Sequence, residues 1–534
     1  MVAKRRTAVQ GPTDTPLPPA GVSLQEVDGG LGYYGKFTSG LPTDPGFFPI
    51  GVWYESVLSQ GDIDKDKDAG LNLYVQLTET SSLPLIRSNG MHAIFWQPDF
   101  STYGPEAVGW FLADELDMED AGHPDVWLAE LLSRKAALPA DGRAGYANFG
   151  KGVMFWNSDA EAARYLDAVD LFSDDIYWFT DDDSCTQWQG GALFLGGARP
   201  LTSAECRRAS NYGAAVERMR RLVDRSKPVW NFVEVGHPFT DDSAPTISAP
   251  QIRAAVWHSI IAGARGILYF NHNFGGPCIS QHVLRDSCGA AVRPTVKSTN
   301  EQIRLLAPVL NAPFVTSGWT ASPSVKAMVK WQGGHFWVFA GSSEGTSSTG
   351  TLDLPCVGDA TATVLGENRS VAVNGGSFSD GFADGNAIHI YRVDGGSTCG
   401  LPMGAAEPAP GQAPAGPGDQ PVVGGSPGRK PARVGLLPRR VSLRSGRLVV
   451  PVSCGAACDV RSRLTTFGAA RRVRLAAVRR RFGVGRHRLV VRLSRRARRY
   501  VARARRPLHM RLHTVIVEPG GAGARRTQDL VARR

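Results

Sequence analysis

Glu115 and Glu234 each close a short apolar run, GWFLADE at 109–115 and VWNFVE at 229–234, and about three repeats of strand and helix separate them. Two carboxyl groups can divide acid/base and nucleophilic work between them if the fold brings both to one cleft. Glu115 stands among Asp114, Asp117, Glu119 and Asp120, so a plainer reading makes it a helix N-terminal acid favoured by the macrodipole. Glu234 leaves an apolar stretch and needs a hydrogen-bond partner or water wherever it lies. Other chemistries have less to stand on. No GxSxG follows an apolar run, His237, His258 and His272 lack HExxH spacing, and Asp181 to Asp183 lack the EF-hand pattern, so neither a serine hydrolase nor a metal or cofactor site is expected.

The runs that would carry these residues recur at 49–53, 71–75, 92–96, 108–112, 145–149, 171–178, 228–233 and 266–270, with helical periodicity at 159–168, 211–224 and 250–264. Eight strands alternating with helices predict an α/β fold, an eight-stranded β/α (TIM) barrel over 46–310, with Asn211 capping one helix. A doubly wound sheet shares the alternation, but no GxGxxG or P-loop follows a strand. After Ala307 the pattern turns to strict alternation at 324–331, 335–340, 361–365 and 387–392, which predicts a small β-sandwich over 311–400. Residues 401–430 are mostly Pro, Gly and Ala and read as a linker. Over 431–534 Arg alternates with Val and Leu, predicting a C-terminal immunoglobulin-like β domain. Residues 1–45 read as a loose leader with a short turn near Tyr33 and Tyr34.

In a β/α barrel the active site lies where the strands end. A carboxylate after strand four together with one after strand seven resembles the clan A retaining glycoside hydrolases. The resemblance covers roughly residues 46 to 310, and a sandwich is a familiar companion of such barrels. It implies hydrolysis of O-glycosidic bonds in a β-linked polysaccharide or oligosaccharide, with Glu115 as general acid/base and Glu234 as nucleophile. By the same resemblance Asp114 stands where an Asn usually touches the sugar 2-hydroxyl, Leu116 stands where proline often follows, and Tyr177 orients the nucleophile. Trp53, Trp96, Trp178 and Trp230, in or at the ends of strands, are candidate stacking surfaces for sugar rings as well as ordinary core residues. His272, after the eighth strand, is a candidate substrate contact, and Glu55 and Asp175 are further strand-end carboxylates. A noncatalytic carbohydrate-binding or cell-surface protein on the same barrel is the alternative.

The 534 residues, 42% hydrophobic and 20% charged, supply two or three domains with sizeable cores. The net charge of +11 is a local property, because about 30 of the 60 Lys and Arg follow Gly428 and only Asp459, Glu518 and Asp529 oppose them there. An acidic body does not suit a polyanionic substrate, whereas the basic tail can associate with an anionic cell envelope. Without interleaved aromatic residues the tail carries no specific nucleic-acid signature. Eight cysteines fall into local pairs, Cys185 with Cys206, Cys278 with Cys288, Cys356 with Cys399 and Cys454 with Cys458, which predicts disulfides and an extracellular or cell-surface location. No run approaches the roughly 18 apolar residues of a transmembrane span. Lys4, Arg5 and Arg6 are followed by polar, proline-rich residues where a signal peptide would be apolar.

Overall fold

Eight parallel strands pair in sequence order, and the last returns to the first to close a barrel. They are β1 Ile50–Glu55, β2 Leu73–Leu77, β3 His92–Phe95, β4 Ala107–Asp114, β5 Ala144–Phe149, β6 Leu171–Asp174, β7 Val229–Glu234 and β8 Gly266–Phe270. The computed structural model describes residues 22–119, 122–394, 433–434, 440–443, 447–454, 457–466, 474–493, 497–499, 501, 508–517 and 523–533. The expected linker at 401–430 and Cys399 lie outside these residues.

Helices α1 Gln60–Asp68, α2 Leu83–Ser88, α3 Pro124–Ala136, α4 Asp159–Ala168, α5 Ser210–Leu222, α6 Ala249–Ile261 and α7 Arg293–Leu310 lie between or after the strands. Local chemistry starts several of them. Ser59 with Asp62, and Ser158 with Glu161, form reciprocal capping boxes at the starts of α1 and α4. Asn211, expected as a cap, instead lies inside α5, where its amide donates to the carbonyls of Glu205 and Cys206 at 3.0 and 2.8 Å. Those two carbonyls end a short helix, Ser203–Cys206, so the side chain serves the preceding element.

Strand alternation sorts the barrel into two cores. Trp53, Leu73, Val75, Ile94, Phe111, Tyr146, Leu171, Trp230, Phe232 and Leu268 fill its interior, while Ile50, Val52, Tyr74, Phe95, Trp110, Phe172 and Val233 belong to the core shared with the helices. One irregularity in β4 decides where its end points. Phe111 pairs with Tyr146, but Ala113 pairs with Ala147 and Asp114 with Asn148, so Leu112 is an extra residue. Simple alternation from Phe111 would turn Glu115 inward; the bulge gives that direction to Asp114.

Residues 22–45 are not a loose leader. Leu24–Gln25 pairs with Phe314–Val315 in the sandwich, and Tyr33, Tyr34 and Leu41 join the interior core of the barrel. The Tyr34 hydroxyl accepts from the Trp230 indole at 3.1 Å, and Asp28 accepts from Arg220 of α5 at 2.8 Å. Pattern reading missed this because the segment has little regular structure and its partners lie far away in the chain.

The sandwich has a seven-stranded and a three-stranded antiparallel sheet. Met328, Trp337, Phe339 and Ile390 on the larger sheet belong to the same core as the barrel helices, and the Trp257 ring of α6 stacks on Phe339 at 5.8 Å. A second unit begins at Ala415. It holds a three-stranded and a five-stranded sheet with one core drawn from both, including Val450, Leu489, Val460 and Leu512. Disulfides join Cys185 to Cys206, Cys278 to Cys288 and Cys454 to Cys458, with Cα separations of 5.4, 5.5 and 6.0 Å. Among the described residues no helix is long and apolar enough to cross a membrane.

The shared core makes barrel and sandwich one cooperative body. Phe339→Ala should destabilise it by about 3–5 kcal/mol and leave a single transition for both parts. Denaturant unfolding followed by tryptophan fluorescence checks this, because all 12 tryptophans lie in the barrel and sandwich, with two separate transitions counting against it.

Candidate active site

Three strand ends, β4, β5 and β6, assemble a cluster of acids at the C-terminal mouth of the barrel. Asp114, turned inward by the bulge, accepts from the Asn148 amide at 3.1 Å. Asn148 in turn accepts from Ser173 at 2.8 Å, and Ser173 is hydrogen-bonded to Tyr146, so a buried polar chain fixes the base of the site. Asp114 is open to water, yet the surrounding walls replace much of its hydration shell. Burial first, then the charge of Glu115, raises its carboxyl to about 7.

Glu115 follows in a left-handed conformation, φ 50° and ψ 34°, with its amide bonded to the Asn148 carbonyl at 2.9 Å. Tyr54 and Gln76, near the ends of β1 and β2, also have positive φ. A non-glycine residue in this region costs on the order of 1–3 kcal/mol, and such residues concentrate at functional sites. Burial followed by the nearby Asp117 raises the proton affinity of Glu115, while Lys151 and Asp175 lower it. Asp175 is raised well above the ordinary range by burial, then by Glu115 and Asp114. Ionisation of Glu115 therefore disfavours ionisation of Asp175, the acid of the two that burial holds well above the ordinary range.

The rest of the cluster is scaffold. Asp117 is buried and accepts from the amides of Gly150 and Val153, at 3.2 and 2.7 Å, which ties the loop after β5 to the end of β4. Lys151 in that loop forms an ion pair with Asp181 at 2.7 Å. Among the described residues no three His, Cys, Asp or Glu side chains are arranged to hold a metal ion.

Glu234 is placed differently. It is 0% exposed, and its carboxylate accepts from Thr180 at 3.0 Å and from Tyr212 at 2.9 and 2.7 Å. Tyr212 belongs to α5, so the carboxylate is drawn sideways toward the helix layer. Burial raises it to about 7 against the opposing effect of the Tyr212 hydrogen bond. Tyr177 connects the two regions. Its hydroxyl faces Asp175 at 3.4 Å, and Asp175, Glu115, Glu234 and Asp114 all add to burial in holding its proton.

Three of the four expected tryptophans are buried. Trp178 and Trp230 are 0% exposed, Trp53 is wedged between Phe111 and Phe232 in the interior, and Trp96 is half-buried at the end of β3. Trp53 and Trp230 lie inside β1 and β7, where a tryptophan of a closed barrel is core whichever face it takes, whereas Trp178 follows β6 and packs against Phe155 and Phe194. Exposed rings at or after the ends of β1, β5, β6 and β8 are Tyr54, Trp156, Trp188, Phe194 and Phe274. His272 is buried beside Tyr54 and Phe274, and burial lowers its basicity to about 4. Glu55 is buried with Arg285 at 2.9 Å and His282 at 2.5 Å, which anchors the loop after β8 and gives this acid a structural partner. Asn148 and Lys151 could have been found by extending the strand-end rule to β5; Tyr212, on an outer helix, left no such signal.

A cavity of about 400 Å³ lies away from this mouth, between α5, α6 and the sandwich, bordered by Phe194, Arg208, His258 and Lys326.

No protein-family model matches the sequence, and no curated protein matches it. Similar solved structures include a GH30 endoxylanase from Clostridium papyrosolvens, with 10% identity, 70% of this chain and 98% of that chain covered and a TM-score of 0.36. A noncanonic maltogenic α-amylase from Thermotoga neapolitana has 8% identity over 66% of this chain and 99% of its own, with a TM-score of 0.39. A GH51 arabinofuranosidase from Xanthomonas axonopodis pv. citri has 11% identity over 70% and 97%, with a TM-score of 0.37. The strand pairing described above defines the chain as a closed β/α barrel protein independently of these likenesses.

The folded protein binds the Glu234 proton more tightly than the unfolded chain does, so stability falls as pH rises from about 4.5 to about 7 through this group. Denaturant midpoints of the wild type and Glu234→Gln from pH 4 to pH 9 should diverge across that window and run parallel outside it. Parallel curves throughout would mean that Glu234 has an ordinary proton affinity.

Proposed function

We propose that the chain hydrolyses O-glycosidic bonds of a β-linked polysaccharide or oligosaccharide at the C-terminal mouth of its barrel. The observation that supports this reading is the cluster of Glu115, Asp175 and the open Asp114 at the strand ends, with exposed rings on segments that end or follow strands. Glu115, whose proton affinity burial and Asp117 raise, is suited to protonate a leaving oxygen and then, once ionised, to activate water. The rings offer faces on which the C–H surface of a sugar can rest. In a retaining reaction Glu234 is the nucleophile; it attacks after its carboxylate turns from Thr180 and Tyr212 toward Tyr177, which already lies against both regions. Asp114 takes the sugar hydroxyl next to the reacting carbon. The disulfides fit an extracellular or cell-surface location, where such glycans occur.

A second reading, a noncatalytic carbohydrate-binding protein, is favoured by one observation: both oxygens of Glu234 are occupied and no surface of the residue meets water.

Release of reducing sugar from β-linked glycans and of phenol from aryl β-glycosides separates the two. The hydrolase reading expects turnover by the wild type and losses of about 10²–10⁴-fold in Glu115→Gln and in Glu234→Gln, with Trp188→Ala raising KM more than it lowers kcat. Glycan binding without turnover would establish the second reading, and full activity in Glu115→Gln would remove the first.

A further inference from the structure

The exposed face of one sheet in the C-terminal unit is a second candidate for glycan recognition, of a different chemistry. Strands β9 Arg433–Val434, β10 Arg447–Cys454 and β11 Gly485–Arg492 form a three-stranded antiparallel sheet. The register sets Arg447 opposite Arg492, Val449 opposite Val490, Pro451 opposite Arg488 and Ser453 opposite Arg486. The intervening positions Leu448, Val450, Val452, Leu489 and Val491 are buried, so the named set shares the outer face. Arg486, Arg488 and Arg492 are exposed there, around a pair of valines exposed to 44% and 37%.

Among the described residues of β10 and β11 on this face, none is acidic. Asp459 of the other sheet is engaged by Arg479 and Arg481 at 3.0 and 3.2 Å, so its charge is spent away from β10 and β11. Alternate residues along a strand lie about 6.8 Å apart, and each guanidinium can clasp a carboxylate with two parallel hydrogen bonds. The exposed Val449 and Val490 at the centre suit a polymer whose backbone between charges is a C–H-rich ring. Among the described residues of β10 and β11 on this face none is aromatic, so these strands offer no stacking surface of the kind single-stranded nucleic acid uses. We propose that this face binds an acidic polysaccharide through Arg486, Arg488 and Arg492, with the ring faces of the sugar over Val449 and Val490. This inference does not depend on the activity of the barrel.

The test uses the full chain with polygalacturonate as probe, and dextran, duplex DNA and phosphatidylglycerol vesicles as comparisons, at two salt concentrations. One variant combines Arg486→Gln, Arg488→Gln and Arg492→Gln. A control removes the same charge elsewhere in the unit by Arg480→Gln, Arg498→Gln and Arg499→Gln, all exposed positions. Polygalacturonate should bind with salt-sensitive affinity, dextran should not bind, and the first variant should bind about tenfold or more weakly while the control binds like the wild type. Equal weakening in both variants would mean that net charge alone attracts the polymer. Tighter binding to DNA or vesicles than to polygalacturonate would overturn the assignment of the ligand, and an unaffected first variant would overturn the assignment of the face. Far-ultraviolet dichroism on each variant confirms that the sheet persists.

Discussion

Closure of the barrel between β8 and β1 is the constraint on which the remaining architecture depends. Ile50, Gly51 and Val52 pair with Ile267, Leu268 and Tyr269, and the approach is close enough that a Cβ at Gly51 would lie 2.4 Å from the Leu268 side chain. Once the eight strands form a ring, their ends point to one mouth and their hydrophobic residues must divide between interior and helix layer. The polar residues left at the strand ends have no other place to go. The acid cluster is a geometric result of closing the sheet, refined by one bulge in β4.

Crowding sets the electrostatics of that mouth. Asp114, Glu115 and Asp175 stand close together in walls that displace water, and every neighbour of like charge raises the cost of ionising the next. Lys151 offsets part of this through its position beside Asp181 and Glu115. The outcome is a set of carboxyl groups that hold their protons more tightly than an exposed carboxylate does. Glu234 reaches a similar proton affinity by another route, being enclosed by Tyr212 and Thr180.

Much of this was legible before the structure. The eight apolar runs correspond to the eight strands, and α4 spans the helix expected from periodicity. The site was less so, for particular reasons. The period of two points Glu115 inward, and an extra residue at Leu112 is invisible to any such count. Trp53, Trp178 and Trp230 fit a stacking role by type, but tertiary packing decides between mouth and core, and all three are core. The rings that do reach water, Trp156, Trp188 and Phe274, lie in loops with no periodicity to draw notice. Tyr212 meets Glu234 across packed layers, a contact of tertiary origin.

The pairing of Leu24–Gln25 with Phe314–Val315 bears on the order in which the molecule is assembled. During synthesis the segment that plugs the barrel emerges first, yet its strand partner follows the last barrel helix. Until that stretch has been made, Leu24 and Gln25 have no ladder to join and the sandwich sheet lacks its first edge. Completion of the first unit is therefore governed by a contact between distant points of the chain, the kind that slows folding by demanding a large loop closure. A ribosome-bound chain that stops short of Val315 carries its barrel strands without the clasp that joins leader to sandwich.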